Sequence, residues 1–342
     1  MKNKLNAVIK ATAGIIKLPA VAFFLFKNVL TQKRFVKKYL VTELKPFKTT
    51  KDPSLSKADI RKITHYYGLG VPAILGTAFC RLHNRKFEEQ ERLVMTYLGG
   101  ISGLLDDLFD DPDKKWDHLE EFILTPENLE PQSNSEAVLK QLYLKGLENS
   151  TNPEALKKQA LAVFKTEKLS IQQRSSIEPS KIKELTFLKG GHSFVYYRLC
   201  LNKPLLIPER KMIFQVGGLM QIGNDIFDVW EDCQQGINTV ASVEKDIKKL
   251  RRSFNSELDL AVNYAFACEF QQKQIEQFLK FTLFGLSRVY VCLDQFEKLQ
   301  LTTNGIFEPH SYSRKQLICD MELAKNKKAA LKYYLKLLSE FI

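Results

Sequence analysis

Two aspartate-rich segments, DDLFDD at positions 106–111 and NDIFDVWED at positions 224–232, are embedded in apolar sequence with a helical pattern. A carboxylate is expensive to bury unless it is paired or bound to a cation. Acidic residues recur at four-residue intervals in each segment, as at Asp228 and Asp232, so they project from one face of a helix. Hard divalent cations prefer such oxygen ligands. The two segments therefore predict a multi-metal site in which two acidic helices face one cavity.

The composition is that of an ordinary folded protein. The chain has 342 residues, of which 44% are hydrophobic and 26% charged, and a chain of this length can bury a large core. Its six cysteines are spaced too widely for a CxxC pair, which argues against a zinc ribbon and against a dithiol redox site. This cysteine usage favours a reducing cytoplasm.

Positive charge is concentrated near the N-terminus. Residues 1–50 contain eleven Lys and Arg and a single acid, while the whole chain has a formal net charge of +12. The run VAFFLF at 21–26 lies among lysines, a pattern that suits a helix on an anionic membrane surface better than an arm that binds nucleic acid. Lys10, Lys17 and Lys27 interrupt any run that could span a bilayer or form a signal peptide. We predict a cytoplasmic protein with peripheral contact at the inner membrane face and no nucleic-acid partner; a solvated or packed helix is the alternative.

The apolar pattern has a helical period almost throughout, with few glycines and prolines and no convincing strand alternation. We predict an all-α fold, with basic amphipathic helices over residues 1–50 and one helical domain over 51–342. Asn152 and Pro153 predict a helix N-terminus, and loops are predicted at 125–135 and 301–313. The predicted helices cover residues 5–28, 31–43, 56–68, 71–84, 87–111, 136–148, 153–169, 181–201, 209–234, 241–250, 255–299 with a break near Gly285, and 314–341.

The second acidic segment resembles a motif of a known superfamily. The sequence GGLMQIGNDIFDVWEDCQQG at 217–236 is similar to the second metal motif of the class I isoprenoid synthases. It has elements found in squalene and phytoene synthases, in chain-elongating polyprenyl synthases and in terpene cyclases. The first segment resembles the DDxxD motif that this superfamily carries upstream. The mixture most resembles the bacterial class IB terpene synthases, whose fold is nearer to the head-to-head synthases.

The resemblance implies a single helical bundle with a central active-site cavity that holds a trinuclear Mg²⁺ centre. The implied metal ligands are Asp106, Asp107, Asp110, Asp111, Asn224, Asp225, Asp228, Glu231 and Asp232. The implied catalytic residues are Asp106, Asp107, Asp110, Asn224, Asp228 and Asp232. The candidates for diphosphate binding are Lys189, Arg198, Arg81, Arg314 and Tyr312.

The implied reaction is ionisation of a linear prenyl diphosphate to an allylic cation, with release of diphosphate and cyclisation. Head-to-head condensation and chain elongation are alternatives within the superfamily, although the Arg-Arg-Gly and Gly-Lys-Arg elements of elongating synthases are missing. A third alternative is a non-catalytic, membrane-associated helical protein with its acidic segments on the surface. The sequence does not determine the substrate chain length, and both a monomer and a homodimer stay open.

Overall fold

The computed structural model describes residues 23–49, 52–110, 116–175 and 177–342, and all regular structure within these ranges is helical. This confirms the predicted all-α class. The chain divides into two compact units. Of the described residues, the N-terminal unit contains 23–168 and 195–205, and the C-terminal unit contains 169–194 and 206–342. The predicted boundary near residue 50 therefore lies inside the N-terminal unit.

The N-terminal unit is built from short and medium-length helices. They are α1 (23–38), α2 (Leu40–Glu43), α3 (Lys57–Arg61), α4 (Gly68–Gly70), α5 (Thr77–Leu82), α6 (Glu89–Gly100), α7 (Ser102–Asp110), α8 (Trp116–Leu124), α9 (Asn134–Glu148) and α10 (Pro153–Ser170). Two π-helical stretches, Lys62–Tyr67 and Val71–Gly76, join α3, α4 and α5 into one helical segment. Short 3₁₀ turns lie at Pro46–Thr49 and Pro126–Asn128.

The C-terminal unit contains the longer helices. They are α11 (Pro179–Leu199, which belongs to this unit up to Phe194), α12 (Ile207–Phe227), α13 (Val229–Gln234), α14 (Val240–Val243), α15 (Ile247–Phe266), α16 (Gln272–Gln300), α17 (Arg314–Leu317) and α18 (Ala324–Phe341). Further 3₁₀ turns lie at Ile171–Arg174, Leu301–Thr303 and Pro309–Ser311.

Most predicted helices are confirmed within the described residues, and the part predicted over 5–22 lies outside them. Several predicted breaks are wrong, because α1 runs through 29–30 and α15 runs through 251–254. Asn152 begins α10 as predicted, with its Oδ1 accepting the backbone N–H of Ala155 at 3.3 Å. The break expected near Gly285 does not occur, because α16 runs through that position, and the chain instead turns at 267–271. A glycine inside a helix costs only about 1 kcal/mol relative to alanine. That is too little to end a helix with a buried apolar face.

Helix α6 lies in the core of the N-terminal unit. It packs against α9 and against the two π-helical stretches. Its side chains Val94, Met95 and Leu98 are at most 1% exposed, and burying side chains of this size contributes about 1.5–3 kcal/mol each. A Cβ at Gly146 of α9 would collide with Leu98, so the glycine allows α9 to approach α6 closely.

Helix α12 lies in the core of the C-terminal unit. It packs against α15 and α16, and α16 also packs against α18. The buried residues Leu219, Ile222 and Ile226 of α12 have the three- and four-residue spacing of an amphipathic helix. Phe254 of α15 and Phe278 of α16 are also buried, so large aromatic side chains help to fill this core.

Helices α11 and α12 meet at glycines. A Cβ at Gly190 would collide with the carbonyl oxygen of Gly217, and a Cβ at Gly217 would collide with the carbonyl oxygen of Gly190. A Cβ at Gly191 would lie 2.7 Å from the ring of Phe214. His192 packs edge-on against the same ring, with 5.2 Å between the centroids. The two backbones can therefore approach this closely only because neither glycine has a side chain.

We expect Gly217→Ala to destabilise the C-terminal unit, because the backbone of α11 must move to relieve the collision. Overpacking of this kind costs about 1–3 kcal/mol, and more when backbone is the obstacle. Gly285→Ala is the matched control, since its new Cβ would lie 3.4 Å from Met220 Cε and alanine is favoured over glycine in a helix by about 1 kcal/mol. Urea unfolding followed by circular dichroism compares the two variants. Equal stabilities would contradict the proposed role of the glycine contact.

Candidate functional site

Asp225 is the buried centre of the second acidic segment. It is 5% exposed, near the end of α12, and it accepts hydrogen bonds from Thr186 Oγ1 and Gln221 Nε2, both at 3.1 Å. Burial raises the pKa of its carboxyl to about 6, although the two hydrogen bonds and the charge of Lys189 act in the opposite direction. Thr186 and Lys189 belong to α11. The close approach of α11 and α12 therefore surrounds Asp225 with polar and cationic partners.

Asn224, Asp228 and Asp232 lie on successive helical turns, as their spacing predicts. The helix predicted over 209–234 is interrupted at Asp228, between α12 and α13. The backbone hydrogen bonds nevertheless continue through the junction, from Asp228 N to Asn224 O and from Asp232 N to Asp228 O, both at 2.9 Å. Asn224 Nδ2 also donates to Asp228 Oδ2 at 2.8 Å. The four-residue interval thus keeps the Asn224 and Asp228 side chains on one face despite the interruption.

These carboxyl groups are difficult to ionise. Burial, together with the negative charges of Asp225 and Asp228, raises the pKa of Asp232 to about 8. The pKa of Asp228 is also raised, by burial and by the charge of Glu231. The Oδ2 atom of Asp232 and the Oε2 atom of Glu231 are buried without a hydrogen-bond donor among the described residues. A bound cation would relieve both the repulsion and the missing hydrogen bonds.

The acidic segment is not a complete metal cage made of protein side chains alone. Within the part of the chain that the structure describes, no three His, Cys, Asp or Glu side chains are grouped closely enough to hold one ion. Mg²⁺ commonly uses only one or two carboxylates and takes its other ligands from water and substrate phosphates. The unpartnered oxygens of Glu231 and Asp232 fit a site of that kind.

The predicted residues Arg314 and Tyr312 have different positions. Arg314 Nη2 lies 3.6 Å from Glu231 Oε1, which brings this guanidinium to the second acidic segment. The side chain of Tyr312 is 4% exposed; its ring lies 5.5 Å from that of Phe307 and its hydroxyl 2.5 Å from Thr303 Oγ1. Tyr312 therefore anchors the chain directly before α17, which begins at Arg314.

Sequence reasoning missed two further polar residues near this segment. The guanidinium of Arg288 in α16 lies over the ring of Phe227, 5.4 Å from the centroid, and only the packing of α16 on α12 brings it there. Thr186, which donates to Asp225, could have been found from its position. It precedes Lys189 by three residues, so the two side chains share a face of α11.

The first acidic segment lies on α7 in the N-terminal unit, where Asp106 and Asp107 are exposed. Lys62 Nζ lies 2.7 and 2.8 Å from the two carboxylate oxygens of Asp107. The hydroxyl of Tyr67 donates to Asp106 Oδ2 at 3.2 Å. A pocket of about 390 Å³ is lined by Lys62, Tyr66, Tyr67, Gly103, Asp106 and Asp107. The side chain of Asp110 and the whole of Asp111 lie outside the described residues.

The negative charge of the first segment is balanced by a lysine, whereas the sequence predicted metal ions. The Asp107 side chain is 48% exposed and its counter-ion is Lys62, so burial does not require a metal ion here. The hydrogen bond with Asp107 raises the pKa of Lys62, while burial, and then the charge of Asp106, raises the pKa of Tyr67. Both groups therefore stay protonated as donors. Lys62 and Tyr67 were missed because they are five positions apart, an interval that shares a face only in a π-helical turn.

Arg198, a predicted diphosphate ligand, has a structural role instead. It is fully buried in the N-terminal unit. Its guanidinium donates to the carbonyl oxygens of Lys203 and Pro204 at 3.1 and 3.2 Å, and it lies 2.9 Å from His83 Nε2. An arginine enclosed in this way is not available to a diphosphate unless the surrounding loop opens.

No protein-family model matches this chain, and comparison with curated proteins and with solved structures finds no significant match. The two acidic segments belong to different units of the structure. The prediction that they face one cavity, and the superfamily resemblance that implies it, therefore rest on the residues of the two motifs and stay predictions.

The raised pKa of Asp232 predicts a stability that falls as pH rises. An aspartate in an unfolded chain titrates near pH 3.9, whereas this folded carboxyl has a pKa of about 8. Between these values the folded state binds more protons, so stability is lost with increasing pH. We expect Asp232→Asn to raise the free energy of unfolding by about 2–5 kcal/mol at pH 8 and to change it little near pH 4. Urea unfolding at several pH values tests this, with the exposed Asp259→Asn as control; parallel profiles for the natural protein and Asp232→Asn would contradict it.

Arg198→Met should destabilise the protein by about 1.5–3 kcal/mol, because it removes the charged hydrogen bonds to the carbonyl oxygens of Lys203 and Pro204 and the contact with His83. Arg81→Met is the control. The guanidinium of Arg81 lies over the ring of Phe24, 4.2 Å from its centroid, and both residues are half-buried. A cation–π contact of this kind contributes about 1 kcal/mol. Thermal unfolding separates the two variants. If Arg198→Met unfolds like the natural protein, its assigned structural role is incorrect.

Proposed function

We propose that this protein is a Mg²⁺-dependent class I terpene synthase, which ionises a linear prenyl diphosphate, releases diphosphate and cyclises the resulting allylic cation. The observation that carries the proposal is the crowding of buried carboxyl groups in the second acidic segment. There the pKa of Asp232 is about 8, and buried oxygens of Glu231 and Asp232 lack hydrogen-bond donors among the described residues. Such a segment favours the binding of divalent cations.

Basic side chains beside the same segment support an anionic substrate in addition to a cation. The charge of Lys189 acts on both Asp225 and Asp232, and Arg314 lies 3.6 Å from Glu231. A site that only stored cations would gain nothing from positive charge next to its carboxylates. A diphosphate bound through metal ions needs both kinds of group, because it carries several negative charges.

Each residue of the second acidic segment would have a specific role in binding the metal and the diphosphate. Asp228 and Asp232 would hold the metal through their carboxylates, and Asn224, whose Nδ2 donates to Asp228, keeps its Oδ1 for the same purpose. Bound Mg²⁺ supplies the positive charge that stabilises the departing diphosphate. Lys189 and Arg314 would donate hydrogen bonds to diphosphate oxygens. Since the pKa of Asp232 is about 8, metal binding near neutral pH would release its proton.

The first segment would hold a metal ion through Asp106 and Asp107. Asp107 must then exchange Lys62 for a metal ion. A solvent-exposed ion pair of this kind contributes only about 0.2–1 kcal/mol, so the exchange has a small energetic cost. Lys62, once released, could donate to an anion carried by that metal ion.

The test is diphosphate release from geranyl, farnesyl, geranylgeranyl and geranylfarnesyl diphosphates in the presence of Mg²⁺, with products identified by mass spectrometry. Asp232→Asn and Asp107→Ala should each lower the rate by about 100-fold or more, as for other groups that stabilise charge in the transition state. Asp259→Asn should leave the rate unchanged, and chelation of the metal should abolish it.

Other outcomes would redirect the proposal. A requirement for isopentenyl diphosphate would indicate chain elongation, and a product formed from two prenyl diphosphates, with or without NADPH, would indicate head-to-head condensation. No release from any substrate, together with no thermal stabilisation by Mg²⁺ and pyrophosphate, would overturn the proposal in favour of a non-catalytic helical protein.

A further inference from the structure

Helix α1 has a row of large apolar side chains on its exposed face. Phe23, Phe26 and Leu30 are 69%, 61% and 39% exposed. Arg34 and Lys37 continue the same row at helical spacing, since the five residues follow the pattern i, i+3, i+7, i+11 and i+14. Contiguous exposed apolar side chains bordered by polar residues mark interaction sites with proteins or membranes.

The same face is basic and has no acidic residue of its own. The sequence FFLFKNVLTQKRFVKK at 23–38 contains five Lys and Arg and no Asp or Glu. Lys38 lies 3.6 Å from Glu89, whereas the other four have no ion-pair partner among the described residues. The docking stripe is defined as the exposed residues Phe23, Phe26, Lys27, Leu30, Lys33, Arg34 and Lys37.

The opposite face of α1 is held against the rest of the N-terminal unit. Gln32 is fully buried, and its Nε2 donates to Gly68 O and Thr96 Oγ1, both at 2.8 Å. Its Oε1 accepts from Arg92 Nη1 at 2.9 Å, and Val36, one turn further on, is 4% exposed. These contacts fix which face of α1 packs against the unit and leave the docking stripe on the opposite face.

We propose that the docking stripe binds an anionic membrane surface, with its apolar side chains in the boundary between headgroups and acyl chains and its cations against lipid phosphates. An anionic membrane would contact both the apolar side chains and the cations of the stripe. Burial of apolar surface and attraction to anionic lipid add together at such an interface. A second copy of the chain would bring two basic stripes together. Among the described residues, no helix is long and apolar enough to cross a bilayer, which agrees with contact at the surface.

The experiment is co-sedimentation of the full chain with vesicles of phosphatidylserine and phosphatidylcholine, with pure phosphatidylcholine vesicles as the reference. We expect binding to the anionic vesicles that weakens with salt and is much lower on the neutral ones. Replacing Phe23, Phe26 and Leu30 together with Ser should lower the partition coefficient by about tenfold or more. Replacing the four cations of the stripe with Gln should lower it by about fivefold for each charge.

Two matched variants control for general effects of charge and apolar surface. Lys325, Lys328, Lys332 and Lys336 are exposed on α18, and their joint replacement with Gln removes the same net charge as the stripe variant. Ile207 and Leu301 are 84% and 79% exposed, and their replacement with Ser removes exposed apolar side chains elsewhere. Both controls should bind anionic vesicles like the natural protein.

Three results would overturn the proposal. The first is unchanged vesicle binding by both stripe variants, which would assign the interaction to another part of the chain. The second is an equal loss with the α18 control, which would indicate attraction by net charge alone. The third is a dimer, or a complex with an RNA oligonucleotide, that is lost in the stripe variants while no vesicle binding occurs. The measurement requires no catalysis, so its outcome is separate from that of the diphosphate-release assay.

Discussion

The backbone contact between Gly190 and Gly217 is the constraint on which the C-terminal unit depends. A Cβ at either position would collide with the carbonyl oxygen of the other residue, so the distance between α11 and α12 is set by the absence of two side chains. This distance allows Thr186 to donate to Asp225 and allows the charge of Lys189 to act on the acidic segment. A wider separation would leave the buried carboxyl without these partners and would increase the cost of its burial.

The two acidic segments are compensated in different ways. At the surface of the N-terminal unit, Lys62 pairs with Asp107, and water screens the remaining negative charge. In the C-terminal unit, burial removes that screening, and the pKa of Asp232 rises to about 8. At neutral pH a proton therefore occupies this carboxyl, because the charge of Lys189 offsets only part of the effect of burial and of the neighbouring carboxylates. A divalent cation would replace that proton, and this exchange links the acid–base behaviour of the segment to the proposed binding of metal and diphosphate.

Local features were predictable where the interactions that form them are local. Asn152 caps α10, and the four-residue spacing of Asn224 and Asp228 gives a direct side-chain hydrogen bond, because helical geometry depends on near neighbours alone. The break expected at Gly285 was wrong because burial of the apolar face of α16 outweighs the weak helix preference of one glycine. The interruption of the helix at Asp228 could not be predicted, because no proline or glycine occupies that position.

The sequence by itself determined the helical class, the acidic faces and the basic, apolar character of the docking stripe, since these follow from composition and from the 3.6-residue period. Only the tertiary structure decided which charges meet. It paired Lys62 with Asp107, placed Arg288 over Phe227 and enclosed Arg198 among carbonyl groups. How the helices pack decides which of these positions come into contact and how deeply they are buried. The free energy of an ion depends strongly on the water and charges that the packing leaves around it.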